Sequence, residues 1–185
     1  MFRKVSIIVS SLLTALVLLF ALFFLQGWNS CNIKRYNAET LLFVTVCSRA
    51  AQVAENYYEA VAAGEFSRAF GHIAYYTRST NPKPTIAPGV VEERWVQRVE
   101  ALQTRGSYIV TIENIEVYTD DGYPMGSARL RIQDNGVEQT IEQTIHFNRM
   151  EEHGPWKIAS VRSNNQRFAE LDLALGGAEL IREGE

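Results

Sequence analysis

Residues 128–147 read ARLRIQDNGVEQTIEQTIHF and decide the fold. Apolar side chains alternate with polar ones from Ala128 to Ile132, and the alternation resumes at Val137 and continues to Phe147. A period of two residues is typical of a strand with one buried face. The Asp-Asn-Gly sequence between the two runs favours a tight hairpin turn. We therefore predict two adjacent antiparallel strands that share one apolar face.

Two further strands are predicted on either side of this hairpin. Residues 108–118 are rich in β-branched and aromatic side chains, and their alternation changes phase at residues 113–114. Such a change within one strand indicates a β-bulge. An Asp-Asp-Gly turn signal follows at 120–122, and residues 156–161 form a short apolar run after the hairpin. Strands joined by tight turns are antiparallel, so we expect a four-stranded sheet with one covered face.

Helices are predicted ahead of the sheet because apolar side chains recur at helical spacing. The three predicted segments are 37–63, 66–76 and 90–104. Gly64 and Gly106 follow the first and third segments as stop signals. The order of helices first and meander second indicates an α+β domain with helices packed on one face of the sheet.

Two stretches of the chain carry a family resemblance. Residues 54–70, AENYYEAVAAGEFSRAF, and residues 146–161, HFNRMEEHGPWKIASV, resemble the opening helix pair and the closing hairpin of the nuclear-transport-factor-2-like superfamily. The resemblance covers about residues 49–162. It implies a cone-shaped domain of about three helices on a curved antiparallel sheet of about four strands.

The resemblance does not choose an activity, because its motifs are structural. The superfamily contains polyketide-cyclase-like and ketosteroid-isomerase-like enzymes. It also contains non-catalytic modules, among them membrane-anchored scaffold subunits of type IV secretion systems and a module that precedes the catalytic domain in some penicillin-binding proteins.

Residues 5–25, from Val5 to Leu25, form an uncharged apolar run without proline. At about 1.5 Å per residue, this run matches the roughly 30 Å hydrocarbon core of a bilayer. A cleaved signal peptide is the alternative, but its apolar run is shorter and ends in a small-residue cleavage site. We expect an N-terminal transmembrane helix that acts as an uncleaved signal anchor.

Basic residues on both sides of the apolar run bear on its orientation. The amino terminus, Arg3 and Lys4 favour a cytoplasmic N-terminus and an extracytoplasmic domain, while Lys34 and Arg35 weaken the asymmetry. The predicted organisation is a signal-anchor helix at 1–27, a juxtamembrane segment with the start of the first helix at 28–48, the domain at 49–163 and an amphipathic tail at 164–185.

The charge of the chain argues against nucleic acid as a partner. It has 18 Lys and Arg against 21 Asp and Glu, a net charge of −3. Without Arg3 and Lys4 the remainder has 16 basic and 21 acidic residues, a net charge of −5. Proteins that hold phosphate backbones are usually basic. No metal-ligand spacing or cofactor motif is present in the sequence, so we predict neither.

The two cysteines, Cys31 and Cys47, have two interpretations. Outside the cytoplasm they form a candidate disulfide between the juxtamembrane segment and the first helix. The alternative is two unpaired thiols, with Cys47 acting as a small apolar helix residue.

Aromatic side chains on the predicted helices are the candidates for a ligand pocket: Tyr57, Tyr58, Tyr76 and Trp95. The alternative is that they fill the cone as core. We predict no catalytic residue, because no base and donor pair of the kind that an isomerase needs can be assembled from the sequence.

Two parts of the chain are candidate partner surfaces. Arg129 and Arg131 lie on the polar face of the sheet, which is either a solvated face or a surface for a protein partner or a second copy. In the tail, Phe168, Leu171 and Leu175 recur at helical spacing. They predict either a helix packed back on the domain or a segment that docks into a partner groove.

The sequence thus favours a single-pass membrane-anchored, non-enzymatic interaction or scaffold module, an accessory subunit of a membrane or envelope complex. The alternative is a small-molecule-binding or isomerase- or cyclase-like domain that uses the cone pocket.

Overall fold

The computed structural model describes residues 40–77, 79–80, 83–120, 123–177 and 180. Within these residues, no helix is both long enough and apolar enough to cross a membrane. The predicted anchor at residues 5–25 lies outside them.

The described chain is an α+β domain in which helices precede an antiparallel sheet. Its elements, in chain order, are α1 (Thr40–Ala62), α2 (Phe66–Phe70), α3 (Pro88–Thr104), β1 (Ser107–Asp120), β2 (Tyr123–Asp134), β3 (Val137–Asn148), β4 (Lys157–Ser163), a 3-10 helix (Gln166–Phe168) and α4 (Ala169–Leu175).

The four strands lie in the order β1-β2-β3-β4, and each pairs antiparallel with the next. The central hairpin has its turn at the predicted place, with Asp134 opposite Val137. Asn135 and Gly136 between them both have positive φ, 51° and 84°. This is the backbone of a type I′ turn, whose twist matches that of the flanking strands. The hairpin predicted from residues 128–147 is confirmed.

Strand β1 is irregular at two places. Its register against β2 shifts between Ile109 and Thr111 and again between Ile112 and Asn114. The second shift confirms the bulge predicted at residues 113–114. A bulge bends its strand and increases the local twist, so β1 follows the helices that cover its inner face.

The second predicted helix is shorter than expected. It ends at Phe70 instead of residue 76, because the chain that follows joins the edge of the sheet. Ile73 pairs in parallel with Ile158, and the amide of Ala74 donates to the Ile158 carbonyl at 2.8 Å. The amide of Ile158 donates in turn to the His72 carbonyl at 2.8 Å. Pairing with β4 therefore ends the helix.

The core lies between the helices and the inner face of the sheet. Ala128, Leu130 and Ile132 of β2 are buried there, as their alternation predicted. From β3, Ile141, Gln143, Ile145 and Phe147 point to the same side and are buried, while Glu142, Thr144 and His146 between them are exposed or half-buried. The sheet thus has one covered face and one open face.

Candidate functional site

The domain interior contains three of the four candidate pocket aromatics. Tyr57 and Tyr58 on α1 and Trp95 on α3 are each 0% exposed. The Tyr57 ring centroid lies 5.0 Å from that of Tyr58 and 6.2 Å from that of Trp95. Phe70 lies 6.0 Å from Trp95 on another side. These rings pack against one another as a core cluster.

Tyr76, the fourth candidate, lies apart from this cluster. Its hydroxyl donates to Glu151 Oε1 at 2.9 Å, and Lys83 binds the other oxygen of the same carboxylate. Burial and this hydrogen bond raise the pKa of Tyr76. The side chain is part of a polar cluster with the β3–β4 loop, and the structure does not bring it together with the other three aromatics.

A buried chain of hydrogen bonds crosses the interior beside the aromatics. The Tyr58 hydroxyl donates to Gln143 Oε1 at 3.0 Å, and Gln143 Nε2 donates to Asp172 Oδ1 at 2.7 Å. The backbone amide and the hydroxyl of Ser163 both donate to Asp172 Oδ2 at 2.7 Å. We call Tyr58, Gln143, Ser163 and Asp172 the buried polar network.

Every oxygen of the Asp172 carboxylate is occupied by a donor of the same domain. Asp172 is 8% exposed and Gln143 is 0% exposed. Burial and the nearby Asp172 carboxylate raise the pKa of Tyr58, so the phenol stays a neutral donor. A general base needs to reach a substrate proton, whereas this carboxylate holds strand β4 and helix α4 together.

Helix α4 closes the interior. Phe168, Leu171 and Leu175 are 6%, 5% and 1% exposed. The Tyr57 hydroxyl donates to the Leu175 carbonyl at 2.5 Å, which fixes the last turn of α4 over α1. After this turn, a Cβ at Gly177 would overlap the carbonyl oxygen of Ala74, so the chain can pass there only as glycine.

The three apolar residues of the tail are therefore not a partner surface in this structure. Phe168, Leu171 and Leu175 contact the core of their own domain, which corrects the docking interpretation and agrees with the alternative of a helix packed back on the domain. The physical reason is that their apolar side chains are buried when the tail packs against β4 and α3 of the same domain.

Little space is left under α4. A cavity of about 20 Å³ is lined by residues that include Val61, Phe66, Leu102, Leu171 and Leu175. A cavity needs about 10–15 Å³ to hold one water molecule, so this one has room for a water but not for a substrate.

The open face of the sheet carries an ordered charge cluster. Glu113 Oε2 lies 3.1 Å from Arg129 Nε, and Glu113 Oε1 lies 3.3 Å from Arg131 Nη2. Arg131 Nε also lies 3.4 Å from Glu138 Oε1, and the Thr140 hydroxyl donates to Glu113 Oε1 at 3.3 Å. Strands β1, β2 and β3 thus contribute to one network, in which the Arg129 and Arg131 side chains are 65% and 46% exposed.

Exposed tyrosines flank this charge cluster on the same face. Tyr123 and Arg129 lie an even number of residues apart on β2, so they point to the same side. Tyr118 lies opposite Met125 in the register, on that side too. Tyr118 is 37% exposed and Tyr123 is 48% exposed. We call the set Glu113, Tyr118, Tyr123, Arg129, Arg131, Glu138 and Thr140 the outward sheet face.

Cys47 is a free thiol on the buried side of α1 and is 2% exposed. Burial raises its pKa from 9.0 to about 11. It occupies the position of a small apolar core residue, which was the alternative to a disulfide. Cys31, the predicted partner, lies outside the described residues.

Among the described residues, no three His, Cys, Asp or Glu side chains are grouped so that they could hold a metal ion. The chain also matches no known family model, no curated protein and no solved structure with which it was compared. The choice between the candidate functions of this chain therefore depends on the geometry of its own residues.

The buried polar network was missed in the sequence, although two signals for it were present. Gln143 occupies an inward position between Ile141 and Ile145. Asp172 lies on the apolar side of the tail helix, between Leu171 and Ala174. A polar residue at a position where the pattern predicts a buried apolar one usually has a hydrogen-bond partner. Nothing in the pattern indicates that these two residues are partners of each other.

Proposed function

We propose that this protein is a single-pass membrane-anchored, non-enzymatic interaction or scaffold module. In this account it is an accessory subunit of a membrane or envelope complex, with a cytoplasmic N-terminus, an anchor at residues 5–25 and an extracytoplasmic domain. The resemblance to the nuclear-transport-factor-2-like superfamily, which includes membrane-anchored scaffold subunits, is part of the proposal.

The observation that carries the proposal is the contrast between the two faces of the sheet. On the inner face, fully buried aromatics and helix α4 fill the space that an enzyme of this shape would use. On the outward sheet face, charges of both signs and exposed tyrosines lie on three paired strands. Tyrosine and arginine are enriched where proteins bind proteins.

Stability does not require the charge cluster on this face. Exposed ion pairs contribute only about 0–1 kcal/mol to folding. Arg129 and Arg131 hold defined positions through Glu113, so a partner that offers carboxylates meets two guanidinium groups already oriented. Preorganised groups bind more tightly because less side-chain entropy is lost.

Charge reversal on the outward sheet face is expected to release the partner without unfolding the domain. In the variant Arg129→Glu/Arg131→Glu, four acidic groups face one another where opposite charges met. We expect the full-length protein, extracted from its own membrane in mild detergent, to lose its stoichiometric co-purifying chains and to show a lower native mass.

The matched control is Arg68→Glu/Arg105→Glu. Both control arginines are exposed and paired with an acid, Glu65 and Glu170, but they lie on the helical side. The control should keep the wild-type native mass. An unchanged co-purification profile for the Arg129→Glu/Arg131→Glu variant would remove the outward sheet face from the proposal.

A second candidate function rests on the buried polar network. A buried carboxylate joined through an amide to a tyrosine is a combination that a small-molecule-binding or isomerase- or cyclase-like site uses. This function requires Asp172, whose oxygens accept from Gln143 and Ser163, to be freed toward the groove of about 1030 Å³ that it lines between β4 and α4. A small molecule recovered in stoichiometric amount from denatured wild-type protein, and lost from Tyr58→Phe, would favour it over the scaffold.

A further inference from the structure

A groove with a volume of about 600 Å³ lies between α1 and the loop that joins β3 to β4. Ligand pockets commonly have about 300–1,000 Å³. Its polar side chains are Arg49 and Gln52 from α1 and Arg149, His153 and Trp156 from the loop region. Among the residues that the structure describes, no acidic side chain lines it. The groove is thus rich in hydrogen-bond donors, although the chain as a whole is acidic.

The arginine at the centre of the groove is held in a fixed orientation. The Arg149 guanidinium carbon lies 4.3 Å from the centroid of the Trp156 ring, in a cation–π contact. Arg149 Nη1 donates to the Glu152 carbonyl at 3.3 Å. The stacked guanidinium presents its remaining donors in a plane, the geometry that binds an oxyanion through two parallel hydrogen bonds.

Two buried donors in the groove have no acceptor among the described residues. They are Arg149 Nε and Trp156 Nε1, and Trp156 is 91% buried. Leaving a buried donor without a partner is costly, and such groups are rare in folded proteins. Both atoms belong to side chains that line the groove, so its wall has donors that no acceptor of the described residues uses.

The cations of the groove also lack a counter-charge. Arg49 is exposed and forms no ion pair with the described residues. Glu151, an acid of the same loop, is already bound by Lys83 and Tyr76. That pairing lowers the pKa of Glu151, mainly through the hydrogen bond from Lys83. An acceptor that fits here must carry its own negative charge.

We propose that this groove binds a phosphate group, either of a soluble phosphate ester or of a phospholipid headgroup. A phosphate ester offers up to three strong acceptor oxygens and up to two negative charges. The guanidinium groups of Arg49 and Arg149 can bind these oxygens together, whereas a single carboxylate would leave donors unmatched. In the sequence, Arg49 lies 24 residues after Leu25, the last residue of the predicted anchor.

The test has two arms on the full-length protein, which distinguish the two sources of phosphate. In neutral detergent, glycerol 3-phosphate is titrated and its binding is followed by calorimetry. In nanodiscs of phosphatidylcholine with or without phosphatidic acid, native mass spectrometry counts the phosphatidic acid molecules that stay bound. Binding in the first arm identifies a soluble phosphate site, and binding confined to the second identifies a headgroup site.

Two variants identify the groove as the place of binding. Arg149→Lys keeps the charge but loses the planar fork, and Arg49→Gln removes an exposed cation without disturbing the core. We expect each to weaken binding about tenfold or more, while Arg68→Gln on α2 leaves it unchanged. No saturable binding in either arm, or binding insensitive to both variants, overturns the proposal. The scaffold proposal stands or falls separately, because it depends on Arg129 and Arg131.

Discussion

A chain that ends at Asn165 is expected to lose cooperative folding. The deletion removes Phe168, Leu171 and Leu175 from the core, and burial of each such side chain contributes about 1.5–3 kcal/mol. Together they account for roughly 5–9 kcal/mol, against a total free energy of unfolding of about 5–15 kcal/mol for a typical domain. The deletion also takes away the carbonyl that the Tyr57 hydroxyl binds.

The measurement is denaturant unfolding of the full-length and truncated proteins in the same detergent, followed by tryptophan fluorescence. The control ends at Leu180 and keeps every residue that the structure describes. It should unfold at the same denaturant concentration as the full-length chain. A truncated chain with a sharp, native-like transition would mean that α4 is an appendage and that the interior is closed by something else.

Asp172→Ala is expected to lower the free energy of unfolding by about 3–5 kcal/mol. The substitution leaves two buried donors without an acceptor, namely Gln143 Nε2 and the amide of Ser163, whereas the Ser163 hydroxyl can still donate to the Asn165 carbonyl at 3.0 Å. Each buried donor without an acceptor lowers the free energy of unfolding by about 1–3 kcal/mol, and by less where a water molecule replaces the lost acceptor. The same fluorescence measurement reports the change as a shift of the midpoint at constant slope.

Glu170→Ala is the matched control, since it removes another carboxylate from the same helix. Glu170 is exposed and pairs with Arg105 at the surface, so its loss should change stability by less than about 1 kcal/mol. If Asp172→Ala and Glu170→Ala have the same effect, the buried polar network does not hold α4 in place.

The parts of the fold that depend on local pattern were predictable from the sequence. Residues 128–147 specify their hairpin because the alternation fixes the buried face and Asn135-Gly136 fixes the turn. The phase change at residues 113–114 likewise predicted the bulge in β1. Both signals lie within a few residues of the structure that they produce.

The parts that depend on distant contacts were not predictable. Residues 71–76 were assigned to a helix, yet Ile73 pairs with Ile158, which is 85 residues away. The tail had two equal interpretations, because an apolar stripe does not say whether it binds its own domain or another protein. In the structure, Asp172 binds Gln143 and Ser163 and so joins the tail to its own domain. No spacing in the sequence predicts either hydrogen bond.

The candidate site residues likewise divide into those that a local pattern identifies and those that depend on distant contacts. The sequence identified Arg129 and Arg131 as a polar face because period-two alternation gives the face directly. It could not separate Tyr57 and Trp95 as core from a ligand pocket, because an aromatic residue on a covered helix face fits both. In the structure both residues are 0% exposed, and their rings are packed as part of the core.

Site-specific photocrosslinking in the native membrane tests directly whether the outward sheet face binds a protein partner. One crosslinker replaces Thr140 at the middle of the outward sheet face, and the other replaces the exposed Glu100 on α3. We expect discrete protein adducts from position 140 and none from position 100. Adducts from position 100 with none from 140 would contradict this expectation, because the partner would then lie on the helical side.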